Sequence, residues 1–367
     1  MAFYGCDVLI GGEFEDMMQT GELEDMMQTV SNGGLDTELL SCFPDALGES
    51  STREKAHRLR SSKIDYWESP WGLQMLHSDV CDPTTREGKL FRSRFRVPFP
   101  FFALFLLPAV VAAGIWKDTT RTRVPAAFKL LAVLRGLGRA LIMDDLSEVS
   151  HIAKSTCSTL IKDFCTNFVL AFFAAYVCLP RPGSDAMAEN MREYALLGVP
   201  LIAASVDAVH VRLWHCGSER VNQCKGKEGY PSLAWLCAVS HRKEILYVGK
   251  ARFGALNDIQ QQHNDEMCKM LDAGLLDDVE FFLYTSTGER VRCSGACFLT
   301  DGGFDKAAYF VEPLHTAVGA DAVLLSEWLE SIRKDVECTF GILKGRFRVL
   351  RLGVEQTIMA VWCVFHV

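Results

Sequence analysis

The chain has 367 residues, nearly half of them hydrophobic and 23% charged, which excludes a wholly disordered protein and leaves room for two folded units and a tail. Its formal net charge of −8 would count against a nucleic-acid partner. Residues 1–50, however, hold eleven Asp/Glu and no Lys or Arg, so the remainder is mildly basic, with 38 bases against 35 acids.

Residues 1–84 read as an acidic, largely disordered arm. A tandem duplication at 12–29, Gly-Glu-Phe-Glu-Asp-Met-Met-Gln-Thr and then Gly-Glu-Leu-Glu-Asp-Met-Met-Gln-Thr, is too short to be a solenoid unit. No charged segment followed by an apolar run and a cleavage site opens the chain, and of the fourteen cysteines only Cys293 and Cys297 are closely paired. Reduced thiols in the cytosol or nucleus are expected.

Residues 85–180 read as helical. The uncharged run Val97 to Trp116 approaches a membrane-spanning length, but Pro98, Pro100 and Pro108 interrupt it, and a buried helix starting after Pro100 is expected rather than a span. Phe128, Leu131, Leu134 and Leu137 recur at helical spacing, weakened locally by Gly136 and Gly138. Next, Asp144–His151 starts like an acid-capped helix, Ile152-Ala153-Lys154 can turn, and Ser155 can cap a second helix. That is the layout of a helix-turn-helix. It would bring Lys154, Ser155 and Thr156 to phosphates and base edges, with plain helical packing as the other reading. Pro180–Asp185 reads as a linker.

After Pro200 the period becomes that of strands. Leu201–Leu213, Ser232–Ser240 and Glu244–Phe253 form three, Asn257–Leu276 is helical, Gly295–Asp301 and Tyr309–Pro313 are two further strands, and a helix runs from Ser326 to about Gly345. An α/β domain over 195–367 with a mixed five-stranded sheet is expected.

Asp207 lies inside the first apolar strand, where an unbalanced carboxylate is costly. Asp301 ends another, directly before Gly302-Gly303, where a side chain can project while the backbone turns. Glu337 borders the apolar stripe of the last helix. Carboxylates meeting from separate elements repel unless cations lie between them, and hard oxygen ligands suit Mg2+ or Mn2+. Two such ions would support in-line displacement at phosphorus. Taken singly, each acid also fits a capped turn or a surface ion pair. Arg333, Lys334 and Lys344 share Glu337's side by helical spacing, as phosphate contacts or as a solvated face. Lys225, Lys227, Lys250 and Arg252 could extend a basic track.

Five segments appear in order: Ser205-Val-Asp-Ala-Val-His210, Gly226-Lys-Glu-Gly-Tyr-Pro231, Asn257-Asp258-Ile259, Thr300-Asp-Gly-Gly-Phe304 and Arg333 to Phe347. Together they resemble the PIF/Harbinger-type DDE transposases, and Glu87–Pro98 and the helix-turn-helix segment resemble regions ahead of that family's catalytic domain. The resemblance implies an RNase H-like domain, a nucleus-located DNA endonuclease or transposase, and metal binding by Asp207, Asp301 and Glu337. Asp258 falls on a recurrent family position and is read as a helix cap or support for the metal site, and His210 as an orienting residue in the strand, with reach to a phosphate or a metal shell as its other reading. Implied partners are double-stranded DNA and a separate Myb-like DNA-binding protein, with a homo-oligomer as an open option and no membrane. The alternative is a catalytically inactive, domesticated DNA-binding or chromatin adaptor. Cys338 and Phe304-Asp305 depart from the family pattern without removing a ligand. Trp362–Val367 resembles the start of the family's closing helix and then stops, so a clipped domain with impaired activity is expected.

Overall fold

A computed structural model describes residues 64–353, apart from 120, 121, 215, 217, 219 and 315. The duplicated acidic segment and residues 354–367 lie outside the described residues. The chain divides between Phe168 and Val169 into two compact units.

The first unit is helical: α1 (Pro70–Met75), α2 (Arg86–Phe95), α3 (Phe99–Ala112, with a π-helical stretch at Phe102–Leu106), α4 (Ala126–Arg139) and α5 (Met143–Ser150), followed by α6 (Lys154–Tyr176), which crosses the division. Folded chain therefore begins ahead of Thr85. Tyr66, Trp71, Met75 and Val80 are buried, and Trp71 meets Phe95 edge-on at 5.3 Å. Burying such rings is what draws 64–84 into the helical unit. Val97, Phe99, Phe102, Leu106 and Val110 are buried too, as expected of the interrupted apolar run. Among the described residues α6 is long and apolar enough to cross a membrane, by length and composition only, and α2 and α3, bent by 60° at the break between them, pass the same test as a pair.

Gly136 and Gly138 leave α4 unbroken. A Cβ on Gly136 would lie 2.9 Å from Ile161 Cδ1 and one on Gly138 2.5 Å from Arg96 Cγ, so both glycines permit close approach by neighbouring chain. The helix-turn-helix layout is present as α5, a left-handed His151 and α6. Ser155 lies within the first turn of α6 rather than capping it.

The second unit is mixed α/β. It opens on α7 (Asp185–Leu196), which the linker-like composition around Pro180 concealed; Ser184 caps it, and Met187, Met191 and Tyr194 bury one face. Then come β1 (Ile202–Arg212), β2 (Ser232–Val239), β3 (Ile245–Val248), β4 (Arg252–Phe253), α8 (Asp258–Asn264), α9 (Glu266–Asp272), β5 (Glu280–Tyr284), β6 (Arg290–Ser294), β7 (Cys297–Leu299), β8 (Phe310–Val311) and α10 (Ala320–Arg346). The main sheet has six strands in the order β3-β2-β1-β7-β8, with β4 also pairing β2. Strand β1 runs antiparallel to β2 and parallel to β7.

Six strands replace the expected five because the third divides. A Cβ on Gly249 would stand 2.3 Å from Asp265 Oδ2, so that buried carboxylate occupies the space beside the strand break. The same Asp265 ends α8 and caps α9 by accepting from Met267 N at 2.9 Å, which splits the single helix expected over Asn257–Leu276. The β5–β6 hairpin was not expected either. Its strands are nearly all exposed, with Phe282, Leu283, Tyr284 and Val291 in solvent, so it lacks the alternating burial that betrays a strand. The core between the main sheet and the helices is carried by Ala204, Val206, Leu236, Met267, Leu271 and Phe298 on one side. Ile202, Leu299, Leu329 and Ile332 form a second cluster with Tyr194. Every described cysteine is free, and Cys224, Cys237, Cys268 and Cys297 are buried in this unit.

Candidate active site

Central strand β1 carries Asp207 opposite Cys237 of β2. The Ala208 N–H donates to its Oδ1 at 2.7 Å. That bond and the charge of Arg333 favour the carboxylate, but burial, with Asp301 and Asp258 adding repulsion, prevails and pushes the acid up to about 7.

Asp301 follows β7, the parallel neighbour of β1, and accepts from the Gly303 N–H at 2.9 Å. Asp258 begins α8, but the helix is capped by Asn257, in a reciprocal capping box with Gln260. Of the two roles expected for Asp258, capping thus belongs to its neighbour. Its own Oδ2 sits 3.4 Å from Lys227 Nζ. A Cβ on Gly303 would meet Asp258 Oδ2 at 2.9 Å and Asp301 Oδ1 at 3.1 Å, so the two carboxylates flank one Cα.

That crowding gives an expected result. Gly303→Ala moves two carboxylate ends rather than backbone, so stability should change by less than about 1 kcal/mol, while any activity needing both acids in place falls roughly tenfold or more. A thermal melt beside a turnover assay checks it; full activity in the alanine variant would mean the two acids do not act together.

Glu337 stands on α10 with its side chain about half exposed, and its Oε1 lies 2.9 Å from Arg333 Nη1. Arg333 is buried, and its Nη2 is 2.7 Å from Glu330 Oε1. Burial opposes the Arg333 charge, but Glu330 and Glu337 outweigh it and hold the guanidinium proton above the usual arginine range. The helix wheel suggested Arg333 as a phosphate contact; the structure instead finds it inside, shared by two glutamates. Asp301 and Asp258 meet at Gly303 and act on Asp207 through their charge, as does Arg333, the partner of Glu337. Among the described residues no three His, Cys, Asp or Glu side chains stand close enough to hold a metal ion.

The remaining candidates divide by exposure. Lys154, Ser155 and Thr156 are exposed at the start of α6, with Lys154 Nζ 3.3 Å from Asp144 Oδ1. Lys334 is exposed and Lys344 half-buried. Burial lowers the Lys344 proton affinity, against the pull of Glu228 and Asp207. For Lys227 burial also opposes the charge, but Asp258, Asp207 and Asp301 prevail and raise it. Lys250 pairs with Glu266 at 3.4 Å, and Arg252 donates to the Asn264 carbonyl, so both are engaged locally. His210 is buried. The contact at Gly303, signalled in the sequence only by the glycine pair after Asp301, and the charge of Glu228 near His210 and Lys344 emerge only in the fold. A cleft of about 560 Å³ between Leu271, Asp272, Ser294, Lys306 and Tyr309 includes none of these carboxylates.

Compared with known proteins, the chain matches a family model described as plant transposon protein over residues 176–362. Neither a curated protein nor a solved structure matches it.

Proposed function

Because this chain belongs to the plant transposon protein family, matched over more than half its length, we propose that it is a DDE transposase of PIF/Harbinger type, or an endonuclease derived from one, acting on double-stranded DNA in the nucleus. In this reading residues 195–367 form an RNase H-like nuclease domain and the helix-turn-helix of the first unit binds element ends. The order β3-β2-β1-β7-β8, antiparallel on one side of β1 and parallel on the other, supports that fold. The observation that carries the chemistry is the placing of Asp207 and Asp301 on and just after adjacent parallel strands, with Asp258 against the same glycine as Asp301.

The donor set is carboxylate oxygen throughout, the class that Mg2+ and Mn2+ accept. The repulsion that raises Asp207 is of the kind a cation relieves. Asp207 and Asp301 fit as ligands, with Asp258 in support and Glu337 completing the set once it leaves Arg333. Two divalent ions there would supply charge neutralisation at phosphorus and activation of water or a 3′-hydroxyl. The chain's own part is to hold the acids on rigid strands and to grip phosphates with Lys227, Lys334 and Lys344, and with Lys154, Ser155 and Thr156 at element ends. A Myb-like partner and self-association belong to the same proposal.

A second reading, a DNA-binding adaptor without catalysis, is favoured by one observation: Glu337 is held by Arg333. Purified full chain and duplexes bearing terminal inverted repeats from its flanking genomic DNA separate the two. Nicking that needs Mg2+ or Mn2+ is expected. Asp301→Asn and Glu337→Gln should each lower it about a thousandfold, since several kcal/mol of transition-state stabilisation are lost at roughly 1.4 kcal/mol per factor of ten. Nicking at the unaltered rate in either variant overturns the assignment, and tight binding without nicking across metal titrations selects the adaptor.

A further inference from the structure

His210 is 8% exposed, and its Nδ1 lies 3.2 Å from Ser232 Oγ. Its other ring nitrogen, Nε2, is buried without a hydrogen-bond partner. A buried imidazole nitrogen left unpaired in this way is uncommon and costly. It lies on β1 three positions after Asp207, hence on the opposite side of the strand.

The loop that follows is built to come close. Lys225 pairs with Pro231 in an isolated bridge, and Leu213 N donates to the Pro231 carbonyl at 2.8 Å. A Cβ on Gly226 would stand 2.0 Å from the Gly254 carbonyl oxygen, and one on Gly254 2.0 Å from Ser232 Oγ, the same hydroxyl that meets His210. Two glycines thus let this loop lie against the strands beneath it. Arg212 stacks 5.3 Å from the Tyr230 ring and holds its far end. Lys227 and Glu228 are thereby brought within electrostatic reach of His210, together with Asp258 and Lys344. Burial favours the neutral imidazole. If Ser232 donates its hydroxyl proton to Nδ1, the ring proton resides on Nε2, which then can only donate.

We propose that His210 Nε2 and Lys227 Nζ together seat a DNA backbone phosphate. A phosphate oxygen accepts from both, satisfying the orphan ring nitrogen and sharing the ammonium now paired with Asp258 at 3.4 Å. Through Asp258, which flanks Gly303 beside Asp301, the seat is tied to the carboxylates. Both residues are positioning residues: they fix the DNA register rather than touch the reacting atoms. The proposal rests on the chain's acting on DNA, but not on its cutting DNA.

The test uses the full chain, labelled with nitrogen-15 in its histidine rings, in EDTA so that no cleavage can occur. A short blunt duplex is titrated in, with inorganic phosphate alone as a second arm. The His210 Nε2–H resonance, identified by its absence from His210→Asn, should shift on saturation with duplex. Lys227→Gln should weaken duplex binding roughly fivefold to tenfold and reduce the salt slope by about one phosphate contact. His210→Gln, whose amide nitrogen reaches the Nε2 position, should restore binding that His210→Asn loses. An unmoved resonance at saturating duplex overturns the proposal, as does an Nε2 that carries no proton. A shift with phosphate but not duplex marks an anion site unrelated to DNA and also overturns it. Absence of nicking in other experiments leaves this result intact.

Discussion

Asp207→Asn should abolish DNA nicking and, at pH 8, make the metal-free protein harder to melt. An unfolded aspartate gives up its proton at about 4, whereas the folded Asp207 keeps it to about 7. Between those values the folded state binds more protons, so stability is greatest at the acid end and falls as pH rises through 7. Above that, the ionised carboxylate is held among Asp301, Asp258 and apolar neighbours at a cost of about 4 kcal/mol, from some three pH units at roughly 1.36 kcal/mol each. Asparagine keeps an oxygen for the Ala208 N–H and removes the charge. At about 2–4 °C per kcal/mol for a domain of this size, the variant should melt at least 5 °C higher at pH 8, the gap closing towards pH 4. Mg2+ or Mn2+ should raise the melting point of the unaltered chain far more than that of the variant, because a ligand stabilises only the state that binds it. Calorimetric melts at pH 5 and pH 8, with and without metal, read all of this. An asparagine variant that melts no higher at pH 8 would show that Asp207 is not strained by its own charge. One that still nicks would remove it from the active site.

Arg333→Met should destabilise the chain by about 2 kcal/mol, less than the roughly 3–5 kcal/mol of an ion pair buried on both sides, because Glu330 and Glu337 are near enough to solvent to recover water. It should also tighten Mn2+ binding about tenfold, on the order of 1.4 kcal/mol, as a positive charge leaves the field of Asp207 and Glu337 is released. Isothermal titration of metal and a salt series of DNA affinities make the decision. The slope of log affinity against log salt should be unchanged; a fall of about 0.9 would mean that Arg333 contacts a phosphate after all. Weaker Mn2+ binding would place Arg333 in support of the metal site rather than in competition with it.

These two residues also mark the limit of what could be read from the chain. An acid inside a run such as Ile202–Arg212 is conspicuous because alternation and apolarity leave it unexplained, and strands β1, β2, β7 and β8 and the long α10 stand near where their periodicity suggested. Helical spacing put Arg333 and Glu337 on one side of α10, which is why they pair, but the spacing carries no measure of depth, so a buried guanidinium looked like a surface one. The splitting of the third strand and of the following helix depends on Asp265 reaching across to Gly249, a contact between residues sixteen apart that no local pattern reports. The nearness of Asp258 to Asp301 is likewise tertiary.

The solvent-exposed hairpin has a practical consequence. It interrupts the chain after α9 and before β7, and its turn from Thr285 to Glu289 closes on itself through Thr285 N to the Glu289 carbonyl and Glu289 N to Thr285 Oγ1. Gly288 within that turn has open space where a side chain would stand. A fluorophore or affinity tag inserted at the tip would meet no packed neighbour and leave the strands bearing the acids untouched. The molecule thus provides its own handle for following DNA engagement in real time.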